Sequence, residues 1–397
     1  MRSLALLAGL VLAGATIFTI LSFSAAPASR PAGTAAETLQ QRLKRVPGDY
    51  RGWARLATQY VDQARVTGDP SYYTKAEGAL GTAAELRPGD DAVLTGQAAL
   101  AAGRHDFAEA VRLAERAIAA NPYGSAAYGV LADARTQLGD LRGAQRAVDR
   151  MMGLHPGVPA FARASYAAEL RGDRAAARRF LQYAHDDAWS PPDLAYVRYY
   201  LGELAFHSGD LTTAADWYAK ALAAYPAYTP ALAGQARTAA LTGRLTEALA
   251  LYDRVVARLP LPQYLIEQGE TRIKAGRPAD WTLLRAQRRL FQAAGVRDDL
   301  TWAEFEADHG DPAAAVRHAR AEYARNPNLV AADALAWALF KAGRAGEALT
   351  YAKKATATGW HNPLLRYHRA TIERSLGASV RVDPDFDPTL SALARFS

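Results

Sequence analysis

Charge is spread unevenly along this chain. From Leu4 to Phe23 there is not one charged side chain, whereas beyond about Gln40 apolar residues come in short groups with polar ones between them. Trp53, Leu56, Ala57 and Tyr60 form one group, Tyr128, Leu131 and Ala132 another, and Leu201, Gly202 and Ala205 a third. Separations of three and four residues put side chains on one face of a helix. The pattern predicts helices along most of the chain, preceded by one uncharged segment.

Turn signals cut these helices at a steady interval. A Gly followed by Asp or Arg stands at Gly139-Asp140, Gly172-Asp173, Gly209-Asp210, Gly243-Arg244, Gly276-Arg277, Gly310-Asp311 and Gly343-Arg344. Successive glycines are 33, 37, 34, 33, 34 and 33 residues apart. Five residues on stands Ala144, Ala177, Ala214, Ala248, Ala315 or Ala348; seventeen on stands Pro156, Pro226, Pro260 or Pro327. Gly takes the left-handed conformation that closes a first helix, and Asp caps the second by accepting its free N–H groups. Ala lets two helices approach closely, and Pro, lacking an N–H, ends the second helix.

These residues resemble the tetratricopeptide repeat family, whose period is roughly 34 residues, from about Gly48 to Gly377. The set Leu201, Gly202, Ala205, Ala214, Tyr218, Ala221 and Pro226 carries the resemblance best. The repeat with Leu94, Ala98, Ala110, Ala117 and Pro122 has His105-Asp106 at its turn instead of Gly-Asp. The resemblance implies an all-α, right-handed superhelical solenoid of about nine to ten helix pairs, the last incomplete. Extra residues from Val66 to Tyr73 predict a longer loop in the first repeat. Trp281, where Ala is expected, predicts more splayed helices in the seventh. Beyond Gly377 a second helix is missing, and the tail from Leu390 to Phe396 is the expected cap. A narrower likeness to exported bacterial repeat proteins rests on Thr67-Gly68-Asp69-Pro70 and Asp308-His309-Gly310.

The apolar run exceeds the roughly 7–15 residues of a signal-peptide core and reaches the roughly 18–20 that span a bilayer. Ala26-Pro27-Ala28 offers a small-x-small cleavage pattern, and Arg2 keeps the amino terminus inside. Residues 1–28 are therefore read as a signal peptide or membrane anchor, 29–46 as a flexible linker, 47–382 as the solenoid and 383–397 as a tail. The bulk of the chain is expected outside the cytoplasmic membrane.

Net charge of +7 and a pI near 9.5 invite a nucleic-acid reading. Arg is interleaved with Asp and Glu throughout, however, and that footprint needs basic residues gathered on one face. With no cysteine, disulfides, thiol catalysis and Cys-based zinc sites are excluded. No phosphate-cradling loop, dinucleotide glycine pattern or Gly-x-Ser-x-Gly elbow is present. Among His105, His155, His185, His207, His309, His318, His361 and His368 no pair has the i, i+4 spacing of a helical zinc site, and each is expected as a solvated or capping residue. Asp383 to Asp387 starts like a calcium loop, but Pro388 and Ala394 stand where Gly and Glu are needed. No cofactor or metal is expected.

First helices line the concave wall of such a solenoid. The resemblance places Asp133, Tyr166, Glu169, Tyr196, Tyr199, Glu203, Arg237, Glu270, Glu304, Asp333, Trp337 and Tyr367 on that wall. Tyr166, Glu169, Tyr196, Tyr199, Glu203, Arg237 and Glu270 are the candidate partner-binding set, since aromatic faces with carboxylates suit an extended peptide or basic segment. Ala54 and Thr58 occupy two positions of the Lys/Asn clamp by which some relatives hold a C-terminal carboxylate, so chaperone-tail binding is not expected. The reading is a non-catalytic interaction scaffold of the cell envelope for a protein or peptide, touching membrane only through its N-terminal segment. The alternatives are an envelope hydrolase with its site in the groove, which needs converging catalytic groups, and a cytoplasmic repeat regulator.

Overall fold

The computed structural model describes residues 32–380, and the regular structure among them is entirely helical. Helix α1 (Ala32–Arg45) leads into the pairs α2 (Tyr50–Thr67) and α3 (Ser71–Leu86), α4 (Asp91–Gly103) and α5 (Phe107–Ala120), and α6 (Ser125–Gln137) and α7 (Leu141–Leu154). Next come α8 (Val158–Leu170) and α9 (Arg174–Asp187), α10 (Pro191–His207) and α11 (Leu211–Ala224), and α12 (Thr229–Leu241) and α13 (Leu245–Arg258). The last pairs are α14 (Pro262–Lys274) and α15 (Thr282–Ala293), α16 (Asp299–His309) and α17 (Pro312–Arg325), and α18 (Leu329–Lys341) and α19 (Ala345–Ala355). Helix α20 (Pro363–Ser375) follows without a second helix among the described residues.

The turns obey local chemistry. Gly139, Gly172, Gly209, Gly243, Gly276 and Gly343 all have φ between 72° and 84°, the left-handed region that glycine enters without strain. In the repeat that lacks the glycine, His105 takes the same conformation at φ 61°. Position, not residue type, sets the turn. Asp140, Asp173 and Asp210 each accept an N–H from the residue three further on, at 2.8–2.9 Å. Gly310 departs from the set at φ −136°, because the Glu306 side chain holds the turn by accepting the Asp311 N–H. Pro156, Pro226, Pro260 and Pro327 stand just beyond their helices, as expected.

Two compact units emerge. One holds the described residues up to Arg163 together with Arg288–Arg297; the other holds Ala164–Gln287 and the described residues from Asp298 on. In the first, α1 seats Leu43 on α2, fully buried, so the stretch read as a linker to residue 46 is helical from Ala32. The extra residues near Val66 lengthen α2 to 18 residues and leave only Gly68–Pro70 between it and α3, not the longer loop expected. Arg288–Arg297 joins this unit through the turn after α4: Arg104 Nε donates to the Ala294 carbonyl, and the Arg297 N–H to the Arg104 carbonyl.

In the second unit each first helix meets the next, α10 with α12, α12 with α14, α14 with α16, α16 with α18 and α18 with α20. Ala177, Ala214, Ala248, Ala315 and Ala348 are all fully buried, the close-approach role read from their spacing. Tyr218 shows how tightly the pairs nest. Its ring lies over Gly202 of α10 and Gly234 of α12, where a Cβ would come within 2.5 and 2.7 Å of it. Trp281 packs its ring on Gly269 and edge-on against Phe305. Residues 1–28, the acidic turn at Asp383 and the tail cap all lie outside the described residues. Among the described residues no helix is long and apolar enough to cross a membrane.

Candidate functional site

A carboxylate taken out of water needs a partner, or it gives up its charge. Along the second unit the first helices bury a series of carboxylates, and most meet a base on the next first helix. Glu169 of α8 accepts from His207 Nδ1 of α10 at 2.7 Å. Glu203 of α10 accepts from Arg237 Nη2 of α12 and from Tyr218 OH, both at 2.5 Å. Glu270 of α14 meets His309 Nε2 of α16 at 2.8 Å, Asp308 of α16 meets Lys341 Nζ of α18 at 3.1 Å, and Asp333 of α18 meets His368 Nδ1 of α20 at 2.8 Å. Partners lie 38, 34, 39, 33 and 35 residues apart, about one repeat each. The result is a ladder of acid–base rungs, one helix to the next.

The other unit carries one rung of the same kind. Asp133 of α6 accepts from Arg163 Nε and Nη2 of α8 at 2.9 and 2.6 Å.

Between α12 and α14 the ladder changes character. Glu267 accepts from Tyr252 OH at 3.1 Å, and burial pushes its carboxyl up to about 8 against the opposing pull of Arg237 and of that hydrogen bond. It is therefore largely uncharged near neutral pH. Glu304 of α16 is pushed well above the carboxylate range by burial and by the charges of Asp333, Asp298, Asp308 and Glu270; its Oε2 has no hydrogen-bond partner among the described residues. His207 and His309 respond the other way. Burial alone lowers them, but attraction and hydrogen bonding to Glu169 and Glu270 respectively outweigh it, and both end above the usual histidine value.

The structure corrects the candidate partner-binding set. Tyr199, Glu203, Arg237 and Glu270 are in the core, at 0–4% exposure, not on an accessible wall. Their charges are consumed by rungs, and Tyr199 packs against Tyr218 and Tyr228. Asp133, Glu304, Asp333 and Trp337 are likewise buried. Tyr166, Glu169 and Tyr196 are the members left half-buried. His207 and His368 are buried, and the His309 side chain is only 7% exposed, where solvated or capping residues were expected. A helix-end position says nothing about a carboxylate one repeat away. Trp53 and Tyr128, which their spacing groups with apolar residues on one helix face, are half-buried, with Trp53 Nε1 donating to the Pro47 carbonyl. No group of His, Cys, Asp and Glu among the described residues has the arrangement of a metal site.

Comparison with known proteins identifies the repeat. Tetratricopeptide repeat profiles match residues 99–166 and 161–229. The chain carries tetratricopeptide repeats (TPRs) over residues 99–229. TPR proteins bind other proteins or peptides, and these repeats support a role as a protein–protein interaction scaffold. Similar solved structures include a thermophilic TPR protein of Thermus thermophilus, at 22% identity over 48% of this chain and 98% of that one, with a TM-score of 0.43. A TPR protein of Parabacteroides merdae matches at 13% identity over 66% of this chain and 92% of its own, with a TM-score of 0.45. YrrB, described as a TPR protein with an unusual peptide-binding site, matches at 17% identity over 46% and 93%, with a TM-score of 0.31. No curated protein matches the chain.

Proposed function

We propose that this TPR protein is a non-catalytic scaffold outside the cytoplasmic membrane, binding an extended protein or peptide segment on the first-helix face of α8 and α10. The observation that carries the reading is the half-buried trio Tyr166, Glu169 and Tyr196, the remnant of the predicted set that solvent still reaches. Tyrosine faces give rigid contact area at low entropic cost, and Glu169, whose Oε1 is taken by His207, presents Oε2 to a basic or donor-rich segment. The ladder supports the non-catalytic part. Its acids and bases are engaged with one another, structurally, in pairs. Support for the location comes from the uncharged run Leu4–Phe23 and Ala26-Pro27-Ala28. The alternative reading, an envelope hydrolase, gains no converging group from this arrangement.

Two experiments test the proposal. A topology reporter fused after Ser397 should be active only outside the membrane; activity inside would overturn the location. A photo-crosslinking residue at Tyr196 should give a discrete adduct in cells, while the same residue at Arg254, exposed on α13, should not. Identical patterns at the two positions would remove the binding face.

A further inference from the structure

Trp360 stands in the non-helical stretch between α19 and α20, yet it is only 2% exposed. Its burial comes from the far end of its own unit. Trp360 Nε1 donates to Glu169 Oε1 at 3.2 Å, across 191 residues of chain, and the same oxygen accepts from His207 Nδ1 at 2.7 Å. The indole meets the Tyr166 ring edge-on, at 6.5 Å and 89°, and the His207 ring at 6.0 Å and 87°. The backbones touch beside it. Gly172 and Gly359 both have φ of 80°, and a Cβ on Gly172 would lie 2.6 Å from the Gly359 carbonyl oxygen. Only a residue without a side chain lets the turn after α8 approach the turn after α19 so closely.

We propose that Trp360 and its turn form a latch that shuts this unit onto α8 and controls access to Tyr166, Glu169 and His207. The edge-on contacts use the ring quadrupoles favourably, and Glu169 supplies the one polar anchor, shared with a rung of the ladder. A closure held from a non-helical stretch and not by a packed helix can open locally, without global unfolding. While it is shut, the Tyr166 ring faces the indole and Glu169 is doubly engaged. Opening turns both toward solvent. The latch concerns the residues of the proposed binding face but stands on the contacts alone.

The chain has no cysteine, so full-length protein carrying Ala175→Cys and Ala357→Cys, both exposed, can be spin-labelled at just two sites. The parent pair should give a short, narrow distance distribution. Trp360→Ala should broaden it and shift it outward, and Trp360→Phe, which keeps a ring but loses the N–H, should fall between. An unchanged distribution in both variants overturns the latch. If circular dichroism shows that Trp360→Ala has lost helix, the Trp360→Phe distribution decides alone: broader than the parent supports the latch, identical overturns it. Access is read separately by diethylpyrocarbonate modification of His207. It should be several-fold faster in Trp360→Phe than in the parent, and equal rates overturn control of access. Neither readout involves a partner, so failure here and failure of the crosslink at Tyr196 are independent results.

Discussion

The two units are built from the same helix pair and bury different things between pairs. In the unit ending at Arg163, the buried polar side chains are Gln63, Asp133 and Arg163; α4 meets its neighbours through Val93, Leu94, Ala98 and Ala102. In the other unit, Glu203, His207, Arg237, Glu267, Glu270, Glu304, Asp333 and His368 are all buried. The turns, caps and small residues are equivalent in the two. What differs is the seam between consecutive first helices, apolar in one apart from the single Asp133–Arg163 rung and charged along the other. An apolar seam stabilises through area removed from water. A buried ion pair seldom beats a well-packed apolar pair, but losing one partner strands the other. Our hypothesis is that the charged seam fixes which helix faces which, at some expense in stability, and makes that unit responsive to pH.

The largest expected effect breaks the comparison at its centre. Arg237→Ala leaves Glu203 buried with only Tyr218 to donate, and should destabilise by about 3–5 kcal/mol. The double replacement Glu203→Leu with Arg237→Met should recover most of that loss. Chemical denaturation of the three proteins checks this; a double variant as unstable as the single one would show that the rung is needed for stability itself.

The charged seam should also impose a pH slope that reaches further toward alkaline pH than that of the other unit, where burial pushes Asp133 and Asp62 up to about 6. Glu267 rises from an ordinary 4.5 to about 8 in the folded chain, so the folded state holds a proton that the unfolded state releases. Stability is fully present below about 4.5 and is lost as pH climbs toward 8. His207 and His309, also raised, act in the same sense: their rungs contribute fully below the ordinary histidine value and weaken as pH passes the folded value. Glu267→Gln, which mimics the protonated acid, should flatten the slope of denaturation midpoint between about pH 5 and about pH 8. An unaltered slope would assign the dependence elsewhere.

Smaller effects probe what the units share. Ala221→Leu in α11, at a fully buried position, should overpack a helix contact and cost about 1–3 kcal/mol. Ala117→Leu in α5, equally buried, should cost a similar amount, because the small-residue rule does not depend on the seam. A melting temperature unchanged in either variant would contradict that equivalence. The least effect is expected from Asp173→Ala, which removes the cap on the Ala176 N–H and should cost about 1 kcal/mol, read from the same melts.

Much of the fold was legible because its rules are local. Gly139 closing a helix, Asp140 capping the next and Ala144 nesting within one turn of it need nothing beyond their own few residues. His105 shows the strength of the phase, since a histidine takes the glycine conformation where the repeat demands it. The candidate site was legible only in part. The spacing placed Glu203, Arg237 and Glu270 on the right helices and at the inward face, but treated that face as a surface. It also placed the 32–45 helix in a linker, since Ala, Thr and Gly in a short stretch carry no signal of what they pack on.

The amino-acid sequence by itself determined the period, the helix ends, the turn conformations and the small residues between paired helices, because each depends on interactions within a few residues. Tertiary structure alone decided which carboxylates are buried, which base each one meets, and that Trp360 reaches Glu169. Burial is a property of what neighbouring repeats cover, and electrostatic pairing acts through space. Residues 34 or 191 positions apart become neighbours only once the helices have stacked.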